Sequence, residues 1–153
     1  MKKVFLIGTI IFSAIFLSGC QKTNIVTCTL NKNDLENDYQ MTGTYEIYTD
    51  GETVNKVITV EQIFSDNDEV LNSFEDYLKG VYNPMAENYG GYDINIKKND
   101  DSLTSTIEID YQKVDIEKLL VDQPAISSMV NDKNQVLLAS IKASYATLGA
   151  VCE

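Results

Sequence analysis

The strongest constraint on the fold is a pair of strand-like segments joined by a tight turn. Met41–Thr49 places Tyr45 and Ile47 on one face by the two-residue repeat of a β-strand. Asp50-Gly51 is a strong hairpin signal where it separates two such segments. Thr53–Phe64 follows, and we predict that its apolar side is the even-numbered face with Val54, Ile58 and Val60. A long antiparallel hairpin is therefore expected here.

Three further segments have the composition or the alternation of β-strands. Ile25–Leu30 is rich in β-branched residues and predicts the first strand. Tyr92–Lys97 and Leu103–Tyr111 each alternate apolar with polar residues, so each has one buried face and one wet face. This alternation is typical of an antiparallel sheet and not of a parallel sheet covered on both sides.

The hydrophobic period changes between these strands. Apolar residues at helical spacing predict an amphipathic helix with Leu71, Phe74, Tyr77, Leu78, Val81, Tyr82 and Met85. Asp66 and Glu69 resemble a capping box at its start, and Pro84 is expected to kink or end it before Gly90-Gly91. Further helices are predicted near residues 115–121 and 134–148. The order of elements predicts an α+β fold, with a twisted, mainly antiparallel sheet and one or two helices packed on one face.

The N terminus carries a separate signal. Lys2 and Lys3 precede the apolar stretch Val4–Leu17, which is shorter than the roughly 20 residues that span a bilayer and fits a signal peptide. Leu17-Ser18-Gly19-Cys20 resembles a bacterial lipobox, in which the cysteine becomes the lipidated amino terminus. We interpret residues 1–19 as a lipoprotein signal peptide, 20–24 as a lipidated tether and 25–153 as a single α+β lipoprotein domain. An uncleaved anchor with an incidental cysteine is the alternative.

The three cysteines fit an exported protein. Acylation of Cys20, with palmitate or similar chains, predicts anchoring at the extracytoplasmic face of the cell membrane. Cys28 and Cys152 then remain as an even pair, and we predict a disulfide between them. Chain-entropy models assign on the order of 4–5 kcal/mol to so long a loop. Two reduced, buried thiols are the alternative.

Composition excludes several classes of function. Histidine, arginine and tryptophan are absent, so the chain has no Ser-His-Asp or Cys-His catalytic machinery, no imidazole metal ligand and no bidentate guanidinium clamp. The net charge of −11 argues against a nucleic-acid partner, since such binding depends on basic residues that neutralise phosphates. We therefore expect no enzyme activity, no cofactor and no nucleic-acid binding.

The order of features resembles a known family. A lipobox, a cysteine soon after it, a hairpin, an amphipathic helix and a second hairpin are followed by a terminal helix that runs into Gly149-Ala150-Val151-Cys152. The second hairpin ends in Ile107-Glu108-Ile109-Asp110-Tyr111-Gln112-Lys113-Val114-Asp115. Together these features resemble the YehR-like family of small bacterial lipoproteins. The resemblance implies the α+β fold and the lipid anchor, and it brings no established activity or catalytic residues.

Candidate site residues have structural alternatives. Tyr77, Tyr82, Tyr89 and Tyr92 are predicted to line a ligand groove, or else to fill the core and rim of a protein without tryptophan. The acidic turns at 66–69 and 99–101 suit Ca²⁺ chemically, but they lack EF-hand spacing, and capping and turn formation also explain them. Glu108 and Asp110 share a strand face that is expected to be solvated, so no catalytic pair is predicted there. Because capping and turn formation account for the acidic turns, no metal site is predicted either.

These observations lead to two hypotheses of function. The first is a non-enzymatic, membrane-anchored envelope lipoprotein that binds an unidentified envelope protein or ligand, with the membrane lipid held through acylated Cys20. The second is a small-ligand or ion-binding module that serves as an accessory to a transporter. An enzyme that uses only carboxylates and tyrosine ranks last, and its sign would be a buried carboxylate pair in a cleft.

Overall fold

The computed structural model describes residues 23–153. The predicted signal peptide, with Leu17, Ser18 and Gly19, lies outside the described residues, as does Cys20. Among these described residues, the strands and helices lie within 24–153, and three clusters of buried apolar side chains form their core. None of the helices in residues 23–153 combines the length and the apolar character that a membrane span requires.

The domain is an α+β structure, as predicted. Its strands are β1 (Asn24–Asp34), β2 (Tyr39–Asp50), β3 (Thr53–Phe64), β4 (Tyr92–Lys98), β5 (Ser102–Asp110) and β6 (Val151–Cys152). Its helices are α1 (Asp68–Tyr89), α2 (Ile116–Asp122) and α3 (Leu138–Thr147), with a 3₁₀ helix at Pro124–Met129. The strands form one six-stranded sheet in the order β4-β5-β3-β2-β1-β6, and every neighbouring pair is antiparallel.

The predicted apolar face of β3 is wrong beyond Val54, and a β-bulge explains the difference. The register shifts between Tyr48, which pairs with Lys56, and Thr49, which pairs with Val54. The extra residue moves the buried side of β3 to the odd-numbered positions, because side chains alternate between the two faces. Val57 is accordingly 1% exposed, whereas Val60 is 39% exposed.

Helix α1 begins one residue away from the predicted cap, and it closes at Gly90 as predicted. Asn67, and not Asp66, is the N-cap residue, and its side-chain oxygen accepts a 3.0 Å hydrogen bond from the amide of Glu69. Pro84 does not end the helix, which continues to Tyr89 and stops at Gly90 with φ of 67°. Proline frees the carbonyl four residues earlier, and that residue is exposed, so water can satisfy the freed group.

The last helix begins later than predicted because the preceding segment pairs with the sheet. Val130 and Val136 form a β-bridge, and Leu137 forms another with Thr53. The amide of Val54 also donates a 2.9 Å hydrogen bond to the carbonyl of Val136. Residues 130, 136 and 137 are thus held in β-bridges on either side of a turn at 132–134, and α3 begins only at residue 138.

Three apolar clusters hold the helices against one face of the sheet. The first cluster includes one buried residue of α3, Ile141. Its members are Cys28, Leu30, Tyr45, Ile47, Val54, Val57, Val136, Ile141 and Ala150. The cluster beneath α1 contains Ile63, Leu71, Leu78, Leu103 and Ile107. The third, at the end of α1 and beside α2, contains Tyr89, Val114 and Leu119. Since Val57 belongs to the first cluster and Ile63 to the second, the middle of β3 lies where the two meet.

Candidate functional site: a half-buried glutamate among tyrosines

Glu61 lies on the helix-covered face of the sheet, at the junction of the two larger clusters. It occupies an odd-numbered position of β3 between Thr59 and Ile63, which are 7% and 0% exposed. Glu61 itself is half-buried. A carboxylate in such a place is unfavourable unless it is compensated, because burial removes its hydration.

Tyr45 supplies part of that compensation. Its side chain is fully buried on β2, and its hydroxyl donates a 2.8 Å hydrogen bond to Oε1 of Glu61. Gly43 lies directly opposite Glu61 across the β2–β3 pair. A Cβ atom at Gly43 would lie 2.7 Å from the Tyr45 hydroxyl oxygen, so the glycine makes room for this hydrogen bond.

Two helices add tyrosines to the same place. The ring of Tyr145, from α3, stacks on Tyr45 with centroids 4.1 Å apart, and its hydroxyl lies 3.2 Å from Oγ1 of Thr59. Tyr82, from α1, packs against the second cluster and interacts electrostatically with Glu61. We call these five residues the Glu61 cluster: Tyr45, Thr59, Glu61, Tyr82 and Tyr145.

Burial and charge shift the proton affinities in this cluster together. Burial raises the pKa of Glu61, and the hydrogen bond from Tyr45 partly opposes that rise. Burial also raises the pKa of Tyr45 and of Tyr82, and in each case the negative charge of Glu61 adds to the effect. The raised pKa values keep the hydroxyls of Tyr45 and Tyr82 protonated, and the hydroxyl of Tyr45 donates its hydrogen bond to Glu61.

This arrangement offers one carboxylate as a charged acceptor beside tyrosine side chains. One carboxylate flanked by aromatic rings is the environment that favours an ammonium group. Within residues 23–153, no group of three or more His, Cys, Asp or Glu side chains converges to hold a metal ion. To a cationic ligand, the cluster would offer a charge-assisted hydrogen bond to Glu61 and contact with tyrosine rings.

The four tyrosines predicted to form a groove are divided among different surroundings. Tyr77 is 65% exposed, whereas Tyr82 belongs to the Glu61 cluster. Tyr89 is 8% exposed, and its hydroxyl donates a 3.1 Å hydrogen bond to Asp122. Tyr92 packs beside Tyr89 in the third cluster, where burial raises its pKa to about 12. The structure thus brings together Tyr89 and Tyr92 but places Tyr77 in solvent.

The acidic turn before α1 has structural partners. Asp68 forms a 2.6 Å ion pair with Lys98, and Asn67 caps the helix. These contacts lower the pKa of Asp68, with the hydrogen bond from Lys98 as the largest cause. In the second turn, Asp101 accepts a 3.1 Å hydrogen bond from the hydroxyl of Ser102.

Glu108 and Asp110 are also engaged by lysines. Glu108 lies 3.5 Å from the ammonium of Lys56. Asp110 lies 2.6 Å from the ammonium of Lys113, and the hydrogen bond from Lys113 is the main reason that the pKa of Asp110 is lowered. The two carboxylates thus serve as members of separate ion pairs.

Cys28 and Cys152 come together where the terminal strand β6 pairs with β1. They are register partners in the β1–β6 pair, and their sulfur atoms lie 1.97 Å apart, at disulfide distance. Cys28 is fully buried in the first core cluster. The pairing holds the C terminus against the first strand.

Sequence reasoning missed Glu61 because it assigned the wrong face of β3 to the core. The signal that could have found it is the odd-numbered apolar pair Val57 and Ile63 on either side of it. A glutamate in phase with two such residues shares their face of the strand. The bulge that makes this phase the buried one left no clear mark in the sequence.

Comparison with known proteins identifies similarity at the level of the fold. No protein-family model matches the chain, and no curated protein matches it in sequence. The NMR structure of a protein from Streptococcus pneumoniae TIGR4 matches 100% of this chain and 97% of its own, with 18% identity and a TM-score of 0.49. The NMR structure of the E. coli YehR protein matches 86% of this chain and 92% of its own, with 15% identity and a TM-score of 0.50. By the second of these likenesses, the chain has a YehR-like fold.

Proposed function

We propose that this chain is a bacterial envelope lipoprotein, anchored to the membrane through Cys20, that acts by binding and not by catalysis. The anchor is supported by the order of charged, apolar and small residues before Cys20. It is also supported by the start of β1 at Asn24, which leaves only a short tether between the lipid and the sheet.

The observation that carries the binding function is the half-buried carboxylate of Glu61 among Tyr45, Tyr82 and Tyr145. The ligand class that fits it is a small organic cation with an ammonium group, because such a group relieves the cost of burying the carboxylate and contacts the rings favourably. This favours the small-ligand module, as a transporter accessory, over a purely structural role. A macromolecular ligand with the same ammonium group would be an envelope protein that presents a lysine side chain.

The anchor is tested by acyl labelling of cells that express the full chain. Growth with an alkynyl palmitate analogue should label the wild type and should not label Cys20→Ala. The matched control is Cys152→Ser, which leaves the lipobox intact and should keep the label. A Cys20→Ala protein that is labelled as strongly as the wild type would show that the anchor is assigned wrongly.

The ligand class is tested by a thermal-shift scan of residues 21–153 against divalent metals, glycan fragments, peptides and small amines. Binding to the native state alone adds roughly 2.7 kcal/mol at a hundredfold excess over the dissociation constant. Amines should raise the melting temperature of the wild type and of Glu108→Gln, and should have no effect on Glu61→Gln. An amine shift that persists in Glu61→Gln would exclude this site.

A further inference from the structure

Strand β4 is a terminal strand of the sheet, and its outer edge is open. It pairs with β5 on one side, and among residues 23–153 no strand pairs with its other side. The opposite edge of the sheet differs, because β6 covers the middle of β1 through Cys28 and Thr29. An open edge presents backbone donors and acceptors that a further strand can satisfy.

Two hydrogen bonds establish which residues of β4 present those groups. The amide of Asp110 donates to the carbonyl of Gly91 at 2.8 Å, and the amide of Asn99 donates to the carbonyl of Ser102 at 2.7 Å. In an antiparallel pair the direction of the backbone groups repeats every two residues. The odd-numbered residues of β4 therefore bond to β5, and the residues whose amides and carbonyls point outward are Tyr92, Ile94, Ile96 and Lys98.

We propose that the open edge of β4 binds β4 of a second copy of this chain, antiparallel, about a two-fold axis at Asn95. In this register the outward-pointing Ile94 lies opposite Ile96 of the second copy and exchanges hydrogen bonds with it. Asp93 lies opposite Lys97 of the second copy, and the symmetry creates the same ion pair again. The six-stranded sheet then continues across the axis into the second sheet, in a closed two-fold dimer.

The side chains of β4 select this register. Asp93 and Lys97 are both exposed, and neither forms an ion pair within the part of the chain that the structure describes. Asp93 also faces Glu108 across the β4–β5 pair, so its nearest cross-strand neighbour has the same charge. A register moved by two residues in either direction places Asp93 opposite Asn95 or Asn99, and both ion pairs are lost.

Cross-linking of the full chain in cells tests the register directly. Asn95 would face its own copy in a closely spaced pair, with Cα atoms about 4.5 Å apart, which suits a disulfide. Asn95→Cys should therefore give a covalent dimer on a non-reducing gel after mild oxidation. Lys97→Cys is the matched control and should give little dimer, whereas Asp93→Cys combined with Lys97→Cys should give it again. Equal dimer from Asn95→Cys and Lys97→Cys, or none from Asn95→Cys, would overturn the proposal.

A second measurement avoids engineered cysteines. In residues 21–153, the amides of Ile94 and Ile96 should exchange with deuterium more slowly as protein concentration rises from about 10 μM to about 1 mM. Asp93→Lys should abolish this concentration dependence, and the swapped pair Asp93→Lys with Lys97→Asp should restore it. Exchange that is fast and independent of concentration in the wild type would show that the edge stays unpaired.

Discussion

The hydroxyl of Tyr45 donates a 2.8 Å hydrogen bond to the carboxylate of Glu61 across the central β2–β3 pair. This contact places the carboxylate of an acidic protein inside the helix-covered face of its sheet. The glycine opposite Glu61 leaves space for the hydroxyl, and the stacked ring of Tyr145 closes one side. Glu61 therefore affects the stability of the domain, and it is also the residue on which the proposed binding of a cation depends.

Glu61 should make the domain relatively more stable as the pH falls. Its pKa in the folded state is raised above the ordinary value of 4.5, so the folded protein takes up this proton more readily than the unfolded chain. This contribution of Glu61 to the free energy of unfolding is fully present below pH 4.5, and it is lost as the pH rises through the pKa of Glu61 in the folded protein. Glu61→Gln should be more stable than the wild type at pH 7, and the difference should shrink toward pH 4.5.

Urea unfolding at several pH values measures this difference. Glu108→Gln is the matched control, because Glu108 lies beside Lys56 on the other face of the sheet. The control should not reproduce the change with pH. A constant difference between Glu61→Gln and the wild type from pH 7 to pH 4.5 would contradict the assignment of a raised pKa.

Tyr45→Phe should destabilise the domain by about 1–3 kcal/mol at pH 7, because it leaves the buried side of Glu61 without its donor. The same substitution should cost less in a Glu61→Gln background, where no charge is left uncompensated. A double-mutant cycle in urea gives the coupling energy between the two positions. Additive effects would mean that the hydrogen bond contributes nothing specific.

Gly91 and Gly80 should respond to alanine in opposite directions. Gly91 has φ of +74°, and a Cβ there would lie 2.6 Å from Cγ2 of Val114 and 2.7 Å from the carbonyl oxygen of Asp110. Gly91→Ala should therefore destabilise the domain by roughly 2–4 kcal/mol. Gly80 lies inside α1 with nothing within 4 Å of its Cβ position, so Gly80→Ala should stabilise it by roughly 0.5–1 kcal/mol.

Thermal unfolding of the two alanine variants, each compared with the wild type, checks this pair. Each variant is a control for the other, because both substitutions add one methyl group and the expected changes in stability have opposite signs. A Gly91→Ala protein as stable as the wild type would show that the turn into β4 tolerates a side chain.

The pairing of Cys28 with Cys152 should contribute on the order of 4–5 kcal/mol, since it closes a loop between residues 124 positions apart. The Cys28→Ser and Cys152→Ser double variant should unfold at a clearly lower urea concentration. Alkylation of the native exported protein before reduction, followed by mass spectrometry, should find neither thiol modified. Two alkylated cysteines would establish the reduced alternative.

Local sequence patterns were sufficient for most of the elements. The hairpin at Asp50-Gly51 and the alternation in β4 and β5 appear in the structure, as does the amphipathic stripe of α1. Each depends on a repeat of two or 3.6 residues, which the side chains of neighbouring positions express directly. The α+β class followed from their order.

What only the tertiary structure decided is which side of β3 is buried, and with it the place of Glu61. The bulge opposite Tyr48 and Thr49 adds one residue, and one residue exchanges the two faces of a strand. Pro84 also stays inside α1, because the packing of this helix against the sheet outweighs the local tendency of proline to end a helix. The sequence by itself determined the first five strands and the main helix, and it predicts the anchor motif. The relative phase of β2 and β3, a property of their pairing and of neither strand alone, determined the candidate site.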